Sequence, residues 1–281
     1  MTLGLPWSIN FRALSDPYLY MTLLVTGVSI ISYFVILRFK LLKKAVNFLR
    51  ISNRQRSKII AELKRKKFHL AGSIMPILYY FSLSLNVVPR ILFNAIIGSI
   101  AAFVVSLELT RMRSPKVNVW FVRTFGRIMR PEEKDKVTGT AYYLSGCAAT
   151  LILFSPPIAS IGIFFLVFGD LFAALVGMSF GKHKIYKSKS LEGFMGCVVA
   201  CFIIGTLCLV LFKVDPLSAA IIALLGAVVA AFTELWCNGS LFLINDNFMI
   251  PVSSAAIMGG ACFVLGVNPS FGDGRVGADS I

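Results

Sequence analysis

The sequence predicts an all-α, polytopic integral membrane protein of about eight transmembrane helices, and three observations carry that prediction. Of its 281 residues, 57% are hydrophobic and only 15% charged, and the mean hydropathy is +0.80. The apolar residues come in blocks of roughly the twenty residues that a bilayer core demands, rather than in amphipathic stripes. The net charge of +15, from 28 Lys and Arg against 13 Asp and Glu, is concentrated in a few stretches between those blocks. A cytoplasmic-loop excess explains this distribution better than nucleic-acid binding does.

The elements follow in order. Residues 1–17 lack a basic n-region and a small-residue cleavage site, so a cleaved signal peptide is not expected. The first span runs from about Tyr18 to Leu37 and reads as an anchor. Arg38 to Lys67 follows with twelve basic residues and one acid, Glu62, which by the positive-inside rule makes this loop cytoplasmic and the N-terminus external. Within it Leu41, Leu42, Ala45, Val46, Leu49, Ile59, Ile60 and Leu63 recur at helical spacing. That pattern fits amphipathic helices on an anionic membrane surface as well as it fits a solvated basic linker. Phe68 to Leu85 then crosses outward, Asn86 to Arg90 turns, Ile91 to Leu109 returns, and Thr110 to Lys136 forms a second cytoplasmic loop.

Val137 to Phe154 crosses outward, Ser155-Pro156-Pro157 turns, and Ile158 to about Phe180 comes back, carrying Asp170 just past its middle. Gly181 to Gly193 is a third basic, cytoplasmic loop. Phe194 to Phe212 and Leu217 to Trp236 form the next pair of spans, joined by a turn at Lys213 to Pro216, and Phe248 to Gly266 is the last. Of the 28 basic residues only Arg12, Arg90, Lys213 and Arg275 fall outside the three cytoplasmic loops. The expected division is an N-terminal anchor and basic segment (1–63), a membrane domain holding the candidate site (64–267) and a short tail (268–281).

Several chemistries are excluded. The six cysteines show no paired CxxC spacing and fall mostly inside or at the ends of apolar blocks, as packing residues do. His69 and His183 are the only histidines and form no HExxH, so a zinc enzyme is not expected. Asn238-Gly239-Ser240 has the pattern of a glycosylation sequon but lies on the cytoplasmic side, where it goes unused.

The candidate site centres on Gly169 to Gly193, where Asp170 sits at membrane depth and Lys182, Lys184, Lys187 and Lys189 follow. An acid at that depth is costly without a partner and marks a functional position. Glu108, Asp170, Glu192, Glu234 and Asp246 all map to the cytoplasmic half. Acids beside lysines and arginines suit phosphoryl or nucleotidyl transfer, in which carboxylates hold a divalent cation (Mg²⁺ or Ca²⁺) and basic groups hold the phosphates of a nucleoside triphosphate. A transporter would place such groups near the midplane, within paired repeats.

Each residue carries two readings. Asp170 is a metal- or phosphate-site acid, or half of a buried ion pair; Gly177 and Gly181 admit a nucleotide, or form a GxxxG packing motif. Lys187, Lys189 and Ser190 are candidate phosphate ligands, with Glu192 a second metal ligand, or all belong to an ordinary basic loop. Glu234 and Asp246 are candidates for metal binding or activation of an acceptor hydroxyl, although Asn245-Asp246-Asn247 also has the form of a helix N-cap. His69 reads as a phosphate contact or a helix-start residue, and Glu108 and Arg111 pair at i, i+3.

Together these motifs resemble the CTP-dependent lipid kinases, the group that includes yeast-type diacylglycerol kinase, dolichol kinase, and the phytol and farnesol kinases. The resemblance covers about Lys64 to Gly260. It rests on Arg65-Lys66-Lys67-Phe68-His69, on Val122 to Arg130, on Gly169-Asp170 to Gly177, and on Lys187 to Gly193. The most specific blocks are Leu225 to Ala231 with Glu234, and Asn245 to Ser254. The resemblance implies transfer of the CTP γ-phosphate to a lipid hydroxyl, yielding phosphatidate from diacylglycerol. It also implies that Arg65, Lys66, Asp170 and Gly177 are essential, with Lys189, Glu192, Glu234 and Asp246 as further site members. Asn245 stands where the family often has a second acid, and Leu171 where it often has Thr or Ser, which leaves metal stoichiometry open.

Phosphatidate cytidylyltransferase is the alternative, on Gly181 to Lys184 and Lys189 to Gly193, but its His-Gly-Gly and Asp-Arg-x-Asp signature is missing from the sequence. A non-enzymatic transporter would need neither the cytoplasmic acids nor the Asn-Asp-Asn motif. The resemblance implies an integral membrane enzyme of the endoplasmic reticulum and nuclear envelope or of a bacterial inner membrane, its site facing the cytoplasm.

Overall fold

In a computed structural model, residues 72–270 are described except 86, 127, 128, 130 and 238–244, together with Ile59. The chain forms a bundle of helices arranged round one of their number. The helices are α1 (Ile74–Ser84), α2 (Arg90–Arg113), α3 (Pro115–Phe125), α4 (Gly139–Leu153), α5 (Pro156–Phe180), α6 (Leu191–Leu211), α7 (Pro216–Trp236) and α8 (Asp246–Leu265). A 3₁₀ turn, Pro131–Lys134, lies between α3 and α4, and an antiparallel hairpin of β1 (Lys184–Tyr186) and β2 (Lys189–Ser190) joins α5 to α6.

Among the described residues, five helices (α2, α5, α6, α7 and α8) are long and apolar enough to cross a membrane, and α1 and α4 are shorter apolar helices. These seven coincide with seven of the expected spans. The eighth, Tyr18 to Leu37, lies outside the described residues, as do Arg65, Lys66 and His69.

Helix α5 is the most enclosed of the long helices and packs against α1, α4, α6, α7 and α8. Ile158, Ala159, Ile161, Ile163, Phe165, Leu166 and Val167 are all buried in it. In a bilayer the lipid tails are as apolar as the core, so helices associate through close packing rather than hydrophobic expulsion, and small residues at the interface decide how near they come. Phe165 fills a slot between Gly205 of α6 and Gly226 of α7; a Cβ at either position would lie 2.7 Å or 3.0 Å from its ring. A Cβ at Gly169 would meet the Cys201 and Cys197 sulfurs of α6 at 2.8 Å and 3.0 Å. Cysteine thus packs here as a small apolar residue.

Local sequence sets the helix ends. Pro115, Pro156 and Pro216 open α3, α5 and α7, where the missing N–H costs nothing. Ser190, Asp215 and Asn245 cap α6, α7 and α8 by accepting from backbone N–H groups. Gly266, at φ 64°, closes α8 in the left-handed conformation that glycine tolerates.

Two expected loops are structured. Helix α2 runs to Arg113, beyond the expected end at Leu109, because Glu108 and Arg111 satisfy each other inside it: Nε donates to Oε2 at 2.9 Å, and both residues are buried. The guanidinium also donates to Asn118 Oδ1 at 2.9 Å and to the carbonyls of Glu133 (3.0 Å), Lys134 (3.1 Å) and Lys136. Glu108 accepts from the Thr138 hydroxyl at 2.8 Å, and the Phe121 ring faces the guanidinium at 4.9 Å. One buried cation therefore ties α2, α3 and the segment leading into α4.

Removing one member of a buried pair leaves the other charge without compensation, at about 3–5 kcal/mol. Glu108→Ala should lower the thermal unfolding temperature in detergent by that equivalent, and Arg111→Met, which also orphans the Glu133, Lys134 and Lys136 carbonyls, should lower it at least as far. An unchanged melting temperature for either variant would show that the pair does not hold this end together.

Candidate active site at the polar end of the bundle

The helices alternate in direction, and their ends differ in chemistry. At one end Arg90 donates to the Phe154 carbonyl at 3.0 Å and Asn94 to that of Leu151 at 3.0 Å, joining the start of α2 to the end of α4. At the other end stand the last turn of α2, the start of α4, the second half of α5, the hairpin, the start of α6, the end of α7 and the start of α8. Glu108, Arg111, Asp170, Lys189, Glu192, Glu234 and Asp246 all belong to this second end.

Asp170 follows a π-helical turn, Phe165–Gly169, within α5. Such a turn inserts a residue into the α-helical ladder and is frequent at functional positions. Asp170 comes directly after it and is half-buried between the buried Gly169 and Leu171. Two turns on, a Cβ at Gly177 would lie 3.5 Å from Gly193 Cα, and one at Gly181 would strike the Ser190 Oγ at 2.6 Å. The α5–α6 crossing is therefore glycine on glycine, with Ser190 beneath it.

Beyond the crossing the hairpin folds over. Lys187, at φ 50°, makes the turn, and its ammonium lies 5.3 Å from the centre of the Tyr186 ring, which itself stacks on Trp236 at 6.2 Å. Lys184 donates to the Ser188 carbonyl at 2.9 Å. Glu192 reaches back to the hairpin, accepting from the His183 N–H at 3.2 Å and lying 2.8 Å from its Nδ1. Lys189 crosses from the hairpin to the end of α7, where its Nζ lies 3.0 Å from Glu234 Oε1 and also donates to the Glu234 carbonyl.

Cys237, which caps α7, shows what surrounds that pair. Its thiol is pushed above the ordinary range first by burial and then by the charge of Asp246, with Lys189 opposing and Glu234 reinforcing. Lys189, Glu234 and Asp246 thus share one electrostatic neighbourhood at the α7–α8 junction. Asp246 itself stands in the first turn of α8, next to its cap Asn245. Among the described residues no three His, Cys, Asp or Glu side chains converge as a metal-binding group.

No protein-family model matches the chain, and no solved structure does. CTP-dependent diacylglycerol kinase 1 of Saccharomyces cerevisiae is 30% identical to it over 220 residues, which cover 70% of this chain and 72% of the relative. The chain belongs to the CTP-dependent diacylglycerol kinase family. The protein of the same name from Schizosaccharomyces pombe is 31% identical over 176 residues, 58% of this chain and 77% of that one. An uncharacterized protein of Rickettsia prowazekii is 28% identical over 195 residues, 68% of this chain and 90% of its own.

In this lipid kinase the expected site residues divide into those that meet and those that the fold employs locally. Lys189 meets Glu234 at the end of α7, while Asp246 opens α8 and Asp170 stands in the second half of α5, both at the same end of the bundle. The Ser190 hydroxyl is buried and accepts from Gly193 N at 3.2 Å, and Gly177 serves the helix crossing. Glu192 belongs to the hairpin. Because Gly177 faces Gly193, Glu192 stands level with the end of α5, about 10 Å along the helix from Asp170.

Sequence reasoning missed the polar contacts of the segment before α4. Glu133 Oε1 accepts from Gly139 N at 2.9 Å, and a Cβ at Gly139 would lie 3.6 Å from Asn247 Nδ2, so this segment abuts the start of α8. The available signal was Thr138-Gly139 placed directly between a charged stretch and an apolar block.

Alkylation of Cys237, followed by peptide mass spectrometry, tests the shared neighbourhood without reference to activity. Asp246→Asn removes a negative charge that disfavours the thiolate, so the reaction at neutral pH should become several-fold faster; Lys189→Met should slow it. Equal rates in all three proteins would separate these side chains from one another.

Proposed function

We propose that this chain transfers the γ-phosphate of CTP to the hydroxyl of diacylglycerol, giving phosphatidate and CDP. The observation that supports this most directly is the Lys189–Glu234 pair, set beside Asp246 at the same end of the bundle as Asp170, in a chain of this family. The bond between the γ-phosphorus and the β–γ bridging oxygen breaks, and a bond from that phosphorus to the lipid oxygen forms. Asp246 accepts the hydroxyl proton. Lys189, oriented by Glu234, neutralises charge on the transferring group, assisted by Lys187 and by Arg65 and Lys66 of the first basic loop. Phosphoryl transfer of this kind depends on positioning and charge stabilisation rather than on covalent chemistry by the protein.

A divalent cation fits a site of this kind as Mg²⁺ commonly binds, through one or two carboxylates with the remaining positions taken by nucleotide phosphates and water. Asp170 is the residue assigned to hold it, and when bound it would offset the charge of the β- and γ-phosphates. Glu192 is assigned to the hairpin, where it fixes His183 and so sets the approach of Lys187 and Lys189. The basic loops orient the site to the cytoplasm, in an endoplasmic-reticulum or a bacterial inner membrane alike.

The test is acceptor phosphorylation by the purified chain, with CTP and Mg²⁺ or Ca²⁺, across diacylglycerol, a polyprenol, phytol and phosphatidate. Diacylglycerol should be phosphorylated, and Asp170→Asn should lower turnover by at least about 100-fold with the melting temperature unchanged. Wild-type turnover in that variant would remove Asp170 from the mechanism, and pyrophosphate release with phosphatidate would replace the kinase reading by cytidylyl transfer.

A further inference from the structure

Helix α3 has two unlike faces. Lys116, Val119, Trp120 and Arg123 recur at i, i+3, i+4 and i+7 and form one exposed stripe, with Val119 68% and Trp120 53% exposed. The opposite face carries Asn118 and the buried Phe121, which are held by the Arg111 guanidinium. The outward stripe is thus two apolar side chains flanked by two cations.

The helix stands where a membrane surface would be. Helix α2, of 24 residues, is about 36 Å long, enough to cross a hydrocarbon core of about 30 Å. α3 begins after a single extended residue, Ser114. The apolar stripe continues from exposed Leu109 and Met112 at the end of α2, and Arg113 adds a further exposed cation. Tryptophan favours the headgroup level, and Lys and Arg near that level are attracted to anionic lipid.

We propose that α3 docks on the anionic headgroup layer of the bilayer that holds the protein, inserting Val119 and Trp120 while Lys116, Arg123 and Arg113 bind lipid phosphates. The docked helix is wired to the site end. Asn118 Nδ2 donates to the Lys134 carbonyl at 3.2 Å, Arg111 holds the Glu133 carbonyl at 3.0 Å, and Glu133 reaches Gly139 N at 2.9 Å beside Asn247. Surface charge at α3 therefore steadies the start of α8, and the reaction rate should rise with anionic lipid. The docking stands independently of the proposed reaction; its effect on rate rests on that reading, under which the product is itself an anionic lipid.

The test uses the full chain with Trp7→Phe and Trp236→Phe, leaving Trp120 as the fluorophore. It is reconstituted in phosphatidylcholine vesicles with or without a one-third share of phosphatidylglycerol. Anionic vesicles should shift Trp120 emission to shorter wavelength and increase its quenching by brominated acyl chains at least twofold, and Lys116→Glu/Arg123→Glu should abolish both changes. Equal quenching in the two vesicle types overturns the proposal. Shielding of Trp120 from aqueous acrylamide that grows with protein concentration at a fixed detergent-to-protein ratio also overturns it, assigning the stripe to a second copy. Lipid phosphorylation is measured in parallel on the chain with all three native tryptophans in the same vesicle types: its absence there contradicts the proposed reaction and leaves the docking intact.

Discussion

The contact between α5 and α6 sets the rest of the site. Gly169 lies against Cys197 and Cys201, and Gly177 against Gly193, so two backbones approach more closely than larger residues would permit. In a bilayer no hydrophobic expulsion would compensate for a poorer fit. The π-helical turn immediately before Asp170 belongs to the same arrangement: its first residue, the buried Phe165, fits between Gly205 of α6 and Gly226 of α7. Asp170 owes its depth to this packing, and the hairpin owes its place to the Ser190 cap that ends the crossing.

A second polar assembly supports the same end from the other side. The Glu108–Arg111 pair binds carbonyls of Glu133, Lys134 and Lys136 and meets Asn118 and Thr138. Its contacts satisfy groups that would otherwise be buried without partners, which is the condition for retaining a charge in such a place. Through Gly139 and Asn247 this assembly abuts the start of α8, the element that carries Asp246. The polar end thus has a half-buried acid on α5, a part-buried pair joining the hairpin to α7, and a polar buttress behind α8.

Most of the helical plan was legible in the sequence, because block length and loop charge are direct consequences of bilayer thickness and membrane asymmetry. The ends were less legible. Hydropathy ended α2 at Leu109, since the reason it continues to Arg113 is a pairing of Arg111 with residues up to 25 positions away. The stretch from Lys187 to Gly193 drew attention for its lysines, serines and acid, and it does lie at the site end. The roles of its residues, however, depend on tertiary partners: Ser190 caps α6, Glu192 holds His183, and Lys189 reaches Glu234 on a distant helix. Asp170 stands out by its isolation within an apolar run, a signal that needs no partner to be visible.

Relatives named as CTP-dependent diacylglycerol kinases and a charged cluster at one end of a membrane bundle converge on γ-phosphoryl transfer. The most direct measurement is the fate of label in parallel reactions of purified protein with diacylglycerol and CTP labelled at either the γ or the α phosphorus. Label from γ-labelled CTP should enter the lipid, while label from α-labelled CTP stays in the soluble nucleotide. Label from the α position in the lipid, or from neither, would contradict the account.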